Sequence, residues 1–213
     1  MGRITGGGRP IAIAWTAVLL LAGSVAHAQS PADASVVEAV WKPQRINFVY
    51  HGYSTLYSCG GLQDKLETIL STVGARDGSI QLRAYSCDDA SSVARFEIAL
   101  ASPVEATAQN VQELTSYDAR DELAARVRGE RLASAEDLPR FPAVWKTISF
   151  ARSRDMKLSP GDCELVEQLR HSILPRMSVQ IVTDRVHCSA YGNIGKPQLT
   201  ISALVPAEAN VSD

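Results

Sequence analysis

Ala39-Val40-Trp41-Lys42 recurs as Ala143-Val144-Trp145-Lys146, and Cys59 recurs as Cys163 at the same offset of 104 residues. Working outward, Ile46-Asn47-Phe48 is answered by Ile148-Ser149-Phe150, and Ser79-Ile80-Gln81-Leu82 by Ser178-Val179-Gln180-Ile181. The match closes with Phe96, Ile98, Pro103, Glu105 and Ala106 against Leu199, Ile201, Pro206, Glu208 and Ala209. Four anchors in one order, separated by small insertions and deletions, outweigh chance similarity between two ordinary α/β stretches. The sequence therefore predicts a tandem duplication of a unit of about 65 residues.

Each copy reads as β-α-β-β. In the first, Ile46, Phe48 and Tyr50 alternate as in a strand, while Leu62, Leu66, Ile69, Leu70 and Val73 form a helical stripe stopped by Gly74. Ile80, Leu82 and Ala84 then alternate with Gln81, Arg83 and Tyr85, and after a polar turn at Asp88–Ser92 the pattern returns at Phe96, Ile98 and Leu100. In the second copy Ser159-Pro160-Gly161-Asp162 combines a capping Ser, Pro at the first helical position and an acid three residues on. Thr55 holds the matching place in the first copy. The second helix carries Val166, Leu169, Ile173 and Leu174 inward and stops at Pro175; Val179, Ile181 and Thr183, then Leu199, Ile201 and Ala203, supply strands.

The expected fold class is α+β, two tandem β-α-β-β repeats joined by a charged, partly helical segment. The boundaries are an export signal at 1–28, a first unit at 29–106, a connector at 107–142 and a second unit at 143–213. In the connector, Ser116-Tyr117-Asp118 caps a helix running through Leu123 and Val127 towards Leu132, laid across the two copies. The export signal rests on Arg3 and Arg9, an apolar run from Ile11 to Gly23, and Ala26-His27-Ala28 as the cleavage site. That run is too short to span a bilayer, for which about 20 residues are needed. Cleavage after Ala28 leaves 185 of the 213 residues, in the periplasm or outside the cell.

That address gives the four cysteines a meaning, because an even count in an oxidising compartment indicates disulfides. Three pairings are open to four cysteines. In a right-handed β-α-β unit the helix runs antiparallel to two parallel strands, so its N-terminus shares an edge with the end of the second strand. Cys59 and Cys163 lie in first helical turns and Cys87 and Cys188 where second strands end, which selects Cys59 with Cys87 and Cys163 with Cys188. Each helix is thereby stapled to a strand.

Composition excludes several functions. With 46% hydrophobic and 21% charged residues the chain is neither disordered nor a multi-span membrane protein. Without the signal, 19 basic residues face 23 acidic ones, the wrong sign for a nucleic-acid or anionic-membrane binder. His51, His171 and His187 show no metal-ligand spacing with each other or with the cysteines, so no metal or cofactor is expected. No G-x-S-x-G, H-E-x-x-H or Gly-rich phosphate loop is present, and no catalytic residue is assigned. Scattered carboxylates such as Asp162 with Glu164 escape a motif search.

The candidate binding surface is the loop after the first strand. Among Tyr50-His51-Gly52-Tyr53-Ser54-Thr55-Leu56-Tyr57, half the residues are Tyr or His, in a chain that is 6% aromatic. Such side chains offer a flat apolar face and a hydrogen-bonding tip to a protein, peptide or glycan; Tyr50 and Tyr57 serve equally well to close the core. The matching stretch of the second copy carries Arg152, Arg154 and Lys157, with Tyr191 in the nearby turn, and the two sets together would form a groove for an anionic or amphipathic partner. The resulting expectation is a non-catalytic binding or assembly protein of a bacterial-type envelope. The alternatives are a periplasmic enzyme, with thiol-disulfide exchange at Cys59 or Cys163 its most specific form, and a secreted enzyme inhibitor.

Overall fold

The computed structural model describes Gly2 and residues 35–87, 92–189 and 195–207. Apart from Gly2, the export signal lies outside the described residues, as do Tyr191, Glu208 and Ala209. The first unit runs β1 (Val37–His51), α1 (Cys59–Thr72), β2 (Gln81–Ser86) and β3 (Val93–Glu105). The second runs β4 (Arg140–Ser149), α4 (Cys163–Ser172), β5 (Val179–Arg185) and β6 (Gln198–Pro206), with α2 (Ala108–Thr115) and α3 (Ala119–Arg128) between the units. The fold is α+β, with all six strands in one antiparallel sheet of order β2-β3-β1-β4-β6-β5.

Alternation explains why one face of each unit is inside. Ile46, Phe48 and Tyr50 are buried while Arg45, Asn47 and Val49 face solvent, and Phe48 and Ile46 lie opposite Phe96 and Ile98 across the β1–β3 ladder. On that face α1 lays down Leu62, Leu66, Ile69 and Leu70, and α4 lays down Leu165, Val166 and Leu169. Side chains from both units form a single hydrophobic core. The units also meet through the sheet, where β1 pairs β4 over only four residues on each strand, from Val37 with Ala143 to Val40 with Arg140.

The repeated tetrapeptides sit at this junction. Ala39 and Ala143 are fully buried beside Leu204, where small side chains let the strands close up. Trp41 stacks on Phe141 at 4.4 Å between ring centroids, and Trp145 donates from Nε1 to Glu105 at 2.9 Å. Gly74 brings the end of α1 against β6. Its φ of +102° is one that side-chain-bearing residues avoid, and a Cβ there would stand 2.5 Å from the carbonyl oxygen of Leu204.

Both disulfides pair a helix start with the region after the second strand, Cys59 with Cys87 and Cys163 with Cys188. The strand directions that select this pairing hold in modified form. β1 and β2 run parallel because each pairs β3 antiparallel, but β3 lies between them, so no two neighbouring strands are parallel. The same holds of β4, β6 and β5.

Several expectations require correction. The first strand begins at Val37 rather than Ile46; Lys42 and Pro43 interrupt the alternation that would have extended it. The first helix is capped by Ser58, whose hydroxyl accepts from the Gly61 amide, and not by Thr55. Ala84, Ile181 and Thr183 are exposed instead of inward. They lie on the edge strands β2 and β5, which are exposed on both faces: Arg83, Tyr85 and Val182, which alternate with them, are exposed as well. In the connector, the helix capped by Asp118 stops at Arg128 with Gly129 in the left-handed conformation, short of Leu132, and buries only Ala125. Leu123 and Val127 are exposed, so its apolar stripe does not dock across the units. Helix α2, which had no sequence counterpart, buries Val111 behind its Thr107 cap.

Candidate functional site

The loop after β1 is held by residues of the other unit. The backbone amides of Tyr53 and Ser54 each donate to Glu164, at 2.9 Å from its Oε2 and Oε1 respectively. Glu164 lies in the first turn of α4 and is 5% exposed. One turn further along α4, Gln168 accepts from the His51 amide and donates to the His51 carbonyl, both at 2.7 Å. Side chains of α4 thus take the place that a further strand would have at the end of β1. The chain can turn away here because residue 52 is glycine, whose added Cβ would meet the Tyr50 ring at 2.9 Å.

Asp162 supplies the second anchor. Its carboxylate accepts from the Tyr57 hydroxyl, from Lys65 at 2.8 Å, and from both the amide and hydroxyl of Ser159, at 2.6 and 2.8 Å. The serine expected to cap this helix therefore donates to the acid three residues on. Burial works against the charge on Asp162, but the bonds from Lys65, Tyr57 and Ser159 outweigh it and hold the carboxyl below its ordinary value. Burial, followed by the hydrogen bond to Asp162, pushes the Tyr57 hydroxyl strongly upward. Tyr50 is raised in the same way, by burial first and then by the nearby charges of Glu164 and Asp162.

No protein family, curated protein or solved structure matches the chain.

The loop's aromatic residues divide into two groups. Tyr50 is 1% exposed, gives its hydroxyl to the Thr55 carbonyl at 2.7 Å, and meets the Tyr57 ring edge-on at 5.3 Å, so both of these tyrosines close the core. Tyr53 is 83% exposed and Leu56 52%, with His51 also at the surface. Arg152, Arg154 and Lys157 are exposed, Lys157 with a positive φ of 48°. Arg152 lines a cleft with Thr72, Lys146 and Asp155 that contains no residue of the Tyr50–Tyr57 loop. The structure thus gives Arg152 surroundings different from those of the aromatic loop, and Tyr191 lies outside the described residues.

Glu164, Gln168 and Lys65 hold this site and were not singled out for that role by sequence; only the proximity of Asp162 and Glu164 hinted at it. The four cysteines are all paired, with Cys163 2% exposed. Among the described residues no group of three or more His, Cys, Asp or Glu is placed to hold a metal ion, and no helix is long and apolar enough to cross a membrane. The two disulfides fit an exported protein of an oxidising compartment.

Proposed function

We propose that this chain is a non-catalytic binding or assembly protein of a bacterial-type cell envelope, descended by duplication of one β-α-β-β unit, which engages a protein or peptide through the loop around Tyr53. The observation that carries this reading is the contrast between Tyr53's side chain and its backbone. The ring stands in solvent while the amide is fixed by a buried carboxylate. A side chain presented on an already ordered loop loses little entropy on binding, and tyrosine is enriched at the centres of protein interfaces. His51 and Leu56 extend the exposed loop, and Arg152, Arg154 and Lys157 are exposed cations, Arg152 in a cleft that contains no loop residue. A secreted inhibitor would be the special case in which the partner is an enzyme. Thiol-disulfide exchange ranks lower, because the cysteines of each pair stand 28 and 25 residues apart and Cys163 is shielded from a substrate.

The test is retention from an envelope extract of the producing cell by immobilised wild-type protein and by Tyr53→Ala, quantified by mass spectrometry. At least one protein is expected to be held by the wild type and to fall by about tenfold or more in the variant, the scale of a central interface tyrosine, with an unchanged melting midpoint. Equal retention by both proteins, or turnover of a dithiol substrate by the wild type, contradicts the reading.

A further inference from the structure

We propose that a groove at the end of α1, distinct from the Tyr53 loop, binds a neutral oligosaccharide. Its main cleft, of about 600 Å³, lies between Trp41 on β1, the Ser71–Asp77 turn, Lys146 on β4, Asp155, and Val205 and Pro206 of β6. Two further clefts, of about 490 and 310 Å³, each share Thr72 and Asp155 with the first, so the three adjoin at these residues. The volume is that of a small-molecule site, and the form is an open channel. Gly74, required by its conformation and by its approach to Leu204, shapes the turn that borders the main cleft.

The lining selects the ligand chemistry. Arg76, Lys146 and Arg152 stand among the carboxylates of Asp64, Glu67, Asp77 and Asp155, a near balance that gives neither a strongly anionic nor a strongly cationic ligand a net attraction. Between them lie short hydroxyls, Ser149 and Ser153 at one end and, at the centre, Ser71 and Thr72, which donate to Asp77 and to the Thr68 carbonyl at 2.8 and 2.7 Å and so offer a ligand their acceptor sites. Carboxylates and the Ser71 and Thr72 oxygens accept from ligand hydroxyls, and guanidinium groups donate to them. Asp155, where the clefts cross, gives its carboxylate to no partner among the described residues. At the far end stands the half-buried indole of Trp41, backed by Phe141 and with the exposed Arg76 guanidinium 5.6 Å from its ring centroid. A chain of pyranose rings meets what these groups offer: a C–H face to take the place of the exposed Arg76 guanidinium over the indole, and hydroxyls along both edges.

Trp41 is also the reporter. After signal removal the only other tryptophan is Trp145, so the exported Trp145→Phe protein reads ligand through Trp41 fluorescence alone. Amide shifts of Thr72 and Asp155 in the wild-type protein give a second readout that does not depend on that replacement. The probes are cellotetraose, maltotetraose and chitotetraose, with tetragalacturonate and a chitosan tetramer as charged controls. At least one neutral tetrasaccharide is expected to saturate both signals in the millimolar range, about −4 kcal/mol, and more tightly than either charged control. Asp155→Ala is expected to weaken that binding by about tenfold, which is about 1.4 kcal/mol. Tyr53→Ala should leave it unchanged, so this site and the loop fail or survive separately. The proposal is overturned if no neutral probe moves either signal by about 10 mM, the upper end of that range, if a charged control binds more tightly, or if Asp155→Ala binds like the wild type.

Discussion

The helices α1 and α4 occupy matching places in the two units, but their first turns do different work. At the offset that aligns the cysteines, Asp162 and Glu164 of the second unit correspond to Ser58 and Gly60 of the first. Ser58 caps its own helix, and a Cβ on Gly60 would meet nothing within 4 Å. Asp162 and Glu164 are buried and reach across to the first unit's loop and helix. Two units of like topology have thus divided the labour: the second supplies the fixing charges, and the first supplies the loop they fix. A buried carboxylate is costly unless its acceptor sites are filled; here the other unit fills those of Glu164, and shares those of Asp162 with Ser159.

The largest expected effect tests whether the staples are equivalent. The disulfides close stretches of 28 and 25 residues, for which chain entropy gives about 3.5 kcal/mol each. Replacing both cysteines of either pair by serine should lower urea-derived stability by roughly that amount. The loss should be greater for Cys163 and Cys188, because Cys163 is also a buried core side chain. Titration with a thiol reductant should open Cys59–Cys87 first, since both of its residues are partly exposed. Equal losses and simultaneous reduction would make the two staples interchangeable.

Glu164→Ala and Gly60→Ala separate the first turns directly. The first leaves the Tyr53 and Ser54 amides without their acceptor and should cost about 2 to 3 kcal/mol by chemical denaturation. The second places a methyl in open space on a helix and should be neutral or stabilise by up to about 0.8 kcal/mol. Similar effects at the two sites would erase the asymmetry.

Much of the frame was legible in the sequence because it is local and periodic. The stripe Leu62, Leu66, Ile69, Leu70 and the alternation of Phe96, Ile98 and Leu100 each repeat the geometry of one element, and both disulfides came from the direction of a helix between two strands. The start of β1 was hidden because Lys42 and Pro43 disguise a strand that runs on into the β4 junction. Ile181 and Ala84 were misplaced because alternation tells which face of a strand a residue is on, and not that the strand lies at a sheet edge where both faces are exposed. The candidate site was legible only as a dense loop. Which tyrosines turn inward is decided by Asp162, 105 residues from Tyr57, and by Glu164, 111 residues from Tyr53, and pattern within one segment cannot carry that information.

The acid and alkaline limbs of stability should report the same cross-unit anchor. Asp162 titrates below its ordinary value of 3.8 when folded, so its contribution is present above that pH and is lost as the pH falls through the lower folded value. Tyr57 titrates above its ordinary 10.0, so its contribution is present below that pH and is lost as the pH rises towards the higher folded value. In denaturation curves across pH, Asp162→Asn should flatten the acid limb. Tyr57→Phe should flatten the alkaline one while costing about 1 kcal/mol at neutral pH. Unchanged limbs in these variants would remove the anchor from the pH response. The smallest effect is expected at the surface, where Tyr53→Ala should stay within about 0.5 kcal/mol of the wild type, since nothing in the fold depends on its ring.

A carboxylate from the second unit orders the exposed loop of the first, and amide hydrogen exchange at Tyr53 and Ser54 reads that ordering at the atoms concerned. Both amides are expected to exchange nearly as slowly as those of the β1–β3 ladder, although Tyr53 and Ser54 stand at the surface, and Glu164→Ala is expected to release them while the ladder stays protected. Rapid exchange of both amides in the wild-type protein would mean that Glu164 does not hold the loop.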